Sequence, residues 1–232
     1  MKKKNFFLSL MTIMVVSMLS VGFVSCGGDD DDTINPDISQ GGDSNTDETI
    51  VGTAVDLGLS VMFADRNVGA KNVEDLGTLY AWAETETKTE FTLENYFDRD
   101  FTKVTADISG TEFDVATTKW GSPWRMMTWD EVNEIKQKCT LETITQNGVM
   151  GMRITGPNGN SIFMPYSYDQ AGFYQTGVWT GKIMTNPSRS TANSAAYLAI
   201  FRNYAKDGPS ISTSSPGDYR YKGFYVRAVC EK

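Results

Sequence analysis

Histidine, cysteine and closely spaced acids are the residues that most often carry chemistry, and this chain of 232 residues contains no histidine. That removes Ser-His-Asp and Cys-His catalysis in their usual forms, and histidine-bound zinc with them. Three cysteines remain, Cys26, Cys139 and Cys230, too few for a cysteine-rich metal site. Carboxylate hydrolysis needs only two suitably separated acids. Glu84 and Glu86 flank Thr85 just after Trp82, and Asp130, Glu131 and Glu134 lie close together further on. A glycan-active enzyme working through such acids is one reading. The plainer reading is that the second group complements a helix dipole and that Glu-Thr-Glu is ordinary loop chemistry. On that reading there is no catalytic residue, no metal and no cofactor.

Cys26 has a different assignment. Lys2, Lys3 and Lys4 precede an almost wholly apolar run from Phe6 to Val24, the pattern of a secretory signal over residues 1–25. A membrane-spanning helix competes, because about 19 residues just span a bilayer. The end of the run favours export: Phe23-Val24-Ser25-Cys26-Gly27 resembles a bacterial lipobox, whose cysteine is acylated before cleavage. Each buried methylene contributes roughly 0.8 kcal/mol, so two or more chains anchor a protein stably. Membrane attachment through Cys26 follows.

Residues 26–50 hold eight acids, four of them at Asp29 to Asp32, and no bases. With so little to bury, the segment reads as a disordered acidic tether; Asp29 to Asp32 have no fixed geometry to hold a cation. Acids just behind the cysteine also resemble the export signal of Bacteroidetes surface lipoproteins, which implies an outer-membrane protein exposed at the cell surface. A periplasm-facing lipoprotein is the alternative. The tether also explains the charge. The whole chain is −8, from 21 bases and 29 acids. Without the three signal lysines it is 18 against 29, or −11; without the eight tether acids, residues 51–232 are 18 against 21, or −3. A nearly neutral domain is not a nucleic-acid binder.

About 180 residues from Val51 onward suit one domain. Thr128-Trp129-Asp130-Glu131 has the form of a capping box, and Val132, Ile135 and Cys139 recur at helical spacing behind it. A helix of roughly eleven residues is expected, the one clear helix in the chain. Thr143 to Thr145, Asn147-Gly148, Val149 to Thr155, Gly156-Pro157-Asn158-Gly159 and Asn160 to Pro165 read as a three-stranded β-meander with two tight turns. Val55 to Ala64 and Phe224 to Val229 look extended, and Ala195 to Phe201 reads as a strand buried on both faces. Arg202 to Lys222, rich in Gly, Pro, Ser and Thr, reads as a long loop, and loops of that length are usually functional or disordered. The class is α+β, a single domain built on a mostly antiparallel twisted sheet.

Several segments in order carry a more specific likeness. Val55-Asp56-Leu57-Gly58-Leu59-Ser60-Val61, Asn67-Val68-Gly69-Ala70, Tyr80-Ala81-Trp82, Trp124-Arg125-Met126, Gly156 to Phe163 and Val226-Arg227 resemble the landmarks of the Fibrobacter succinogenes major paralogous (FISUMP) domain over about residues 54–230. Phe63, Ala83, Met127, Thr180-Gly181 and Ala228 depart from it, at places where the family usually has Trp, Gly, Pro, Ser-Ser and Pro. The resemblance implies a bacterial surface lipoprotein. It also implies a fold like the formylglycine-generating-enzyme branch of the C-type-lectin-like fold, with paired terminal strands and a long ligand-contacting loop region. It brings no catalytic residues. The calcium motifs of lectins, Glu-Pro-Asn or Gln-Pro-Asp with Trp-Asn-Asp, do not occur.

Cys139 and Cys230 read as a disulfide or as two buried thiols; a bridge would close a loop of about ninety residues and contribute over roughly 4 kcal/mol. Aromatic residues supply the positive hint of function. Tyr166, Tyr168, Phe173, Tyr174 and Trp179 cluster before the buried strand, with Trp179 read as core. Tyr204, Tyr219 and Tyr221 fall in the expected loop, and tyrosines on such a loop suit glycan or protein ligands. The expectation is a non-catalytic binding domain for glycan or a surface protein, using Tyr204, Tyr219 and Tyr221. A structural component of the envelope is the alternative.

Overall fold

In the computed structural model, residues 50–168, 174–184, 193–203, 208–213 and 217–232 are described, all within the compact unit Thr46–Lys232. Cys26, Tyr204 and Phe173 lie outside the described residues. Val55 to Ala64 is not one extended run. It folds back on itself as β1 (Ala54–Asp56) and β2 (Met62–Ala64), paired antiparallel. Gly58 makes the reversal possible: it sits at φ +77°, where only glycine is unstrained, and donates to the Asp56 carboxylate at 2.7 Å. Leu57, Leu59 and Val61 are driven inward by the same reversal.

Asp114 starts α1 (Val115–Trp120) as its N-cap, accepting from the amides of Ala116 and Thr117. Then come β3 (Arg125–Met126) and α2 (Trp129–Lys138). The capping box at the start of α2 is complete, with Thr128 and Glu131 each accepting from the other's amide, and Val132 and Ile135 are buried. The meander follows as β4 (Thr140–Gln146), β5 (Val149–Thr155) and β6 (Ser161–Pro165) in that order. Asn147 and Gly148 take φ of 47° and 82°, the mirror turn whose twist matches antiparallel strands.

β7 (Ser167–Tyr168), β8 (Tyr174–Met184), β9 (Ser194–Asn203), β10 (Gly208–Thr213) and β11 (Asp218–Tyr219) form a five-stranded antiparallel sheet. The segment read as a loop from Arg202 to Lys222 thus contains two strands among its described residues: β10 and β11 both pair with β9. Composition misled because a ladder offered by a neighbouring strand overrides weak local propensity. The chain closes with β12 (Ala228–Cys230), set between β2 and β3 in the order β1-β2-β12-β3.

That four-stranded sheet separates two hydrophobic clusters. Ala228 and Cys230 join Trp82, Trp124 and Trp179 in one; Val229 joins Phe63, Ile135 and Ile154 in the other. The alternation of a strand's side chains between its faces produces this division. It also explains the cysteines. The Cys139–Cys230 bridge is absent and both thiols are free, because Cys139, at the end of α2, packs on the second cluster while Cys230 faces the first. Burial pushes both thiols' pKa up.

The truly irregular part is residues 65–114, where no helix or strand occurs. It is nevertheless pinned down. The buried Arg227 side chain donates to the Asn67 side chain at 2.8 Å and to the carbonyls of Ala64 and Phe163 at 2.9 and 3.0 Å. Its three partners are all uncharged, and loss of solvation pulls its pKa down to about 9.

Candidate binding cleft

The hollow that brings Glu84 and Glu86 together is built on this irregular stretch, so much of its rigidity has to come from side chains. Arg220 and Asp98 are buried and joined at 2.9 Å. The Asp98 carboxylate also accepts from the amides of Thr102, Lys103 and Val104 at 2.8, 3.0 and 3.2 Å. One acid thereby folds residues 98–104 around itself. The Arg220 guanidinium lies 4.7 Å from the Trp82 ring centre and near the rings of Tyr96 and Phe101, a cation–π stack that suits a planar cation. Trp82 in turn donates to the Thr180 carbonyl at 2.9 Å, and the Tyr96 hydroxyl donates to the Trp82 carbonyl at 2.8 Å. Burial raises the pKa of the Tyr96 phenol, with the Arg220 charge opposing it.

Trp82 leads into Ala83, which sits at φ +65°. A side chain in the left-handed region costs of order 1 kcal/mol, and the strain redirects the chain outward at the lip of a cleft. This open cleft, of about 520 Å³, is lined by Glu84, Thr85, Glu86, Lys88, Phe97, Glu112 and Phe113 among others. The rings of Phe97 and Phe113 stack at 6.1 Å between centres and 28° between planes. A second hollow of about 400 Å³ adjoins it, sharing Glu112 and Phe113 and adding Lys103, Asp107 and Thr111. Phe113 precedes the buried Asp114, whose carboxylate takes the amides of Gly110, Ala116, Thr117 and Met126. Burial raises the Asp114 pKa in spite of those four donors.

The acids named from the sequence fall in two places. Glu84 and Glu86 are both on the cleft. Glu84 accepts from the Phe97 amide at 3.0 Å and pairs with Lys88, so it braces the aromatic floor; Glu86 is solvated and meets Lys119 at 2.6 Å. Glu131 closes the capping box and holds Arg125 at 2.7 Å, while Glu134 accepts from Ser60 and Lys138. Asp130 is exposed in the first turn of α2. Glu131 and Glu134 are thus engaged in contacts that fix α2 and its neighbours. Among the described residues, no group of three or more His, Cys, Asp or Glu is placed to hold a metal.

The tyrosines lie elsewhere. Tyr219 and Tyr221 are half-buried and stack on each other at 5.3 Å and 12°, so each ring has one face turned to its neighbour; neither lines this cleft. Trp179 is core, donating to the Tyr80 carbonyl at 2.9 Å. Tyr166 is buried, whereas Tyr168 is exposed. Phe97, Phe113 and Glu112 escaped the sequence reading, since they stand in no periodic pattern. Their only signal was aromatic residues recurring in an acidic, threonine-rich stretch.

The segments that carry the family resemblance meet one another in space. Asn67 meets Arg227; Asn158 and Asn160 both donate to the Asp56 carbonyl at 2.8 Å; Gly156 has no room for a Cβ against the Leu57 carbonyl. These residues tie loops to strands rather than line the cleft. No family model matches the chain, no curated protein matches its sequence, and no solved structure matches its fold.

Proposed function

We propose that this chain is an exported lipoprotein of the FISUMP type, acylated at Cys26, whose domain binds glycan at the cell surface without catalysing a reaction. The signal, lipobox and acidic tether support the anchor; the order of the landmark segments supports the family. One observation carries the binding reading: the Phe97–Phe113 stack floors an open cleft rimmed by Glu84, Thr85, Glu86 and Glu112. A sugar ring offers an apolar C–H face to aromatic rings and hydroxyl donors to carboxylates, so such a cleft matches both halves of it. The Asp98–Arg220 pair and the Glu84–Phe97 bond hold the floor in place before any ligand arrives, which lowers the cost of ordering on binding.

The test is a glycan array with the full-length protein, followed by affinity and melting measurements on variants. Phe97→Ala and Glu112→Gln should each weaken binding of an array hit by roughly tenfold or more, with Glu112→Gln leaving the melting temperature unchanged. Tyr219→Ala with Tyr221→Ala is the parallel test of the surface named from the sequence. Loss of binding there alone would move the site to those tyrosines. For the anchor, Cys26→Ala should abolish incorporation of labelled fatty acid, and retention of label would overturn the assignment.

A further inference from the structure

The cleft and the second hollow share two residues, Glu112 and Phe113. These form a saddle, with Thr85, Glu86 and Phe97 on one side and Thr105, Ala106 and Asp107 on the other. The saddle is fixed through its backbone. The Thr118 hydroxyl donates to the Glu112 carbonyl and the Phe113 amide donates to the Thr111 hydroxyl, both at 3.3 Å; Asp114 caps α1 directly behind them. The far hollow is anchored to β8. There the Ile108 amide donates to the Gly181 carbonyl at 2.8 Å, and the Asp107 carboxylate accepts from the Ile183 amide at 3.0 Å. Both hollows are thus shaped before a ligand arrives. Their volumes, about 520 and 400 Å³, each fall in the range of small-ligand sites, about 300–1,000 Å³.

Charge sets what can cross the saddle. Glu84 is paired with Lys88, Glu86 with Lys119 and Asp107 with Lys182. Glu112 is exposed and has no such cation among the described residues, which leaves its carboxylate oxygens to a ligand. The Lys103 ammonium is engaged by the aromatic floor: it donates to the Phe97 carbonyl at 2.6 Å and stands 5.5 Å from the Phe97 ring centre. An ionised carboxylate accepts hydrogen bonds and donates none. At the saddle it therefore suits hydroxyl groups and opposes another carboxylate.

We propose that the site takes a linear, neutral oligosaccharide, one stretch of it in the cleft and the next in the second hollow, with Glu112 accepting its hydroxyls at the crossing and disfavouring acidic sugars there. The inference rests on the glycan reading of the cleft and adds the length and charge of the ligand. A chain is required because one sugar ring cannot stand on both sides of the saddle. Once the first stretch is held, the second binds as an intramolecular event. In the far hollow Thr105, which is exposed, offers a hydroxyl that both donates and accepts.

The probes are neutral homo-oligomers of glucose, mannose, galactose, xylose and N-acetylglucosamine, from monomer to hexamer, each hexose series matched by its C6-oxidised uronate. The full-length protein is tested on an array of these, and calorimetry follows on the series that binds. Affinity should rise roughly tenfold or more from dimer to hexamer. Ala106 lines the second hollow alone and is exposed, so Ala106→Trp should fill that hollow, remove the gain with length and leave the dimer's affinity unchanged. The uronate hexamer should bind roughly threefold more weakly than its neutral match, and Glu112→Gln should shrink that ratio. Affinity that is flat with length, or a hexamer indifferent to Ala106→Trp, would confine the ligand to the cleft and overturn the proposal while the glycan reading stood. Uronates bound as tightly as neutral chains, or a ratio unmoved by Glu112→Gln, would overturn the charge assignment. Failure of every glycan to bind would overturn the glycan reading itself, and this proposal with it. The length series on the unsubstituted protein decides the matter even if Ala106→Trp fails to fold.

Discussion

Residues 140–165 and residues 65–114 are stabilised in opposite ways. In the meander, backbone pairs with backbone over two continuous ladders, Thr140 to Gln146 on Val149 to Thr155 and Gly151 to Thr155 on Ser161 to Pro165. Many similar bonds share the load, and each contributes about 1 kcal/mol. In the irregular stretch backbone pairing is limited to scattered bonds, such as the bridge between Tyr80 and Phe224, and buried polar side chains satisfy much of the rest. Asp98 takes three amides and an arginine, Asp114 takes four amides, and Asn67 with Arg227 joins three separate segments. The proposed cleft is built on the second kind of structure. Its shape therefore depends on a few side chains, each of which carries far more than any one bond of the meander.

Substitutions can break this contrast, and the largest effect should come at the cleft's foundation. Asp98→Ala leaves Arg220 buried with its charge uncompensated and frees three amides, and should cost about 3–5 kcal/mol. Urea denaturation would measure it; a loss under about 1 kcal/mol would mean that the irregular stretch does not depend on this acid. Arg227→Met comes next. It removes the donors to two buried carbonyls and to Asn67, and should cost about 2–3 kcal/mol, partly offset because a costly buried charge goes with it.

Glu134 sharpens the comparison through pH. Partial burial would raise its carboxyl pKa, but the bonds from Lys138 and Ser60 hold it down at about 2, below the ordinary 4.5. A carboxylate so depressed contributes stability that is full above pH 4.5 and is lost as pH falls through about 2. With solvent screening of the exposed lysine, Glu134→Gln should cost about 1 kcal/mol at neutral pH, and the gap from the parent should close near pH 2. A gap independent of pH would show that charge is not the cause.

The smaller effects fall on single backbone angles. Gly148 sits at φ +82° with open space, clear to 4 Å, where a methyl group would stand, so Gly148→Ala costs only the strain of the turn, about 1 kcal/mol. Thermal melting would measure it, and a much larger loss would show that the turn governs the whole meander. Ala83→Gly has the opposite sign. Relief of the left-handed strain is set against the greater freedom of glycine in the unfolded chain, and the melting temperature should rise by an amount worth about 0.5 kcal/mol. A fall would show that the Ala83 methyl, buried in the first cluster, matters more than the angle.

Local signals were enough for α2 and the meander. Thr128 and Glu131 lie three residues apart, and Asn147-Gly148 needs no distant partner to turn, so both elements were legible in the sequence and form where expected. Glu84 and Glu86 were legible as acids near Trp82, and the structure brings both to one cleft. β10 and β11 were hidden because their strand character comes from β9, not from their own Gly, Pro and Ser content. The cleft's floor was hidden for a stronger reason: Phe97 and Phe113 meet across a stretch with no regular structure, and Phe97 adjoins Asp98, whose partner Arg220 is 122 positions away in the chain.

What the sequence by itself determined is whatever depends on neighbours within a few residues: the absence of histidine chemistry, the helix and its cap, the mirror turn, and the periodic strands of the meander. Tertiary structure alone decided the rest. It set which way Cys139 and Cys230 face, which strands pair with β9, and where the irregular stretch lies. The physical reason is the same in each case. A strand edge, a buried ion pair or a shared cluster gains its free energy from groups remote in the chain, and local spacing carries no record of which remote groups those are.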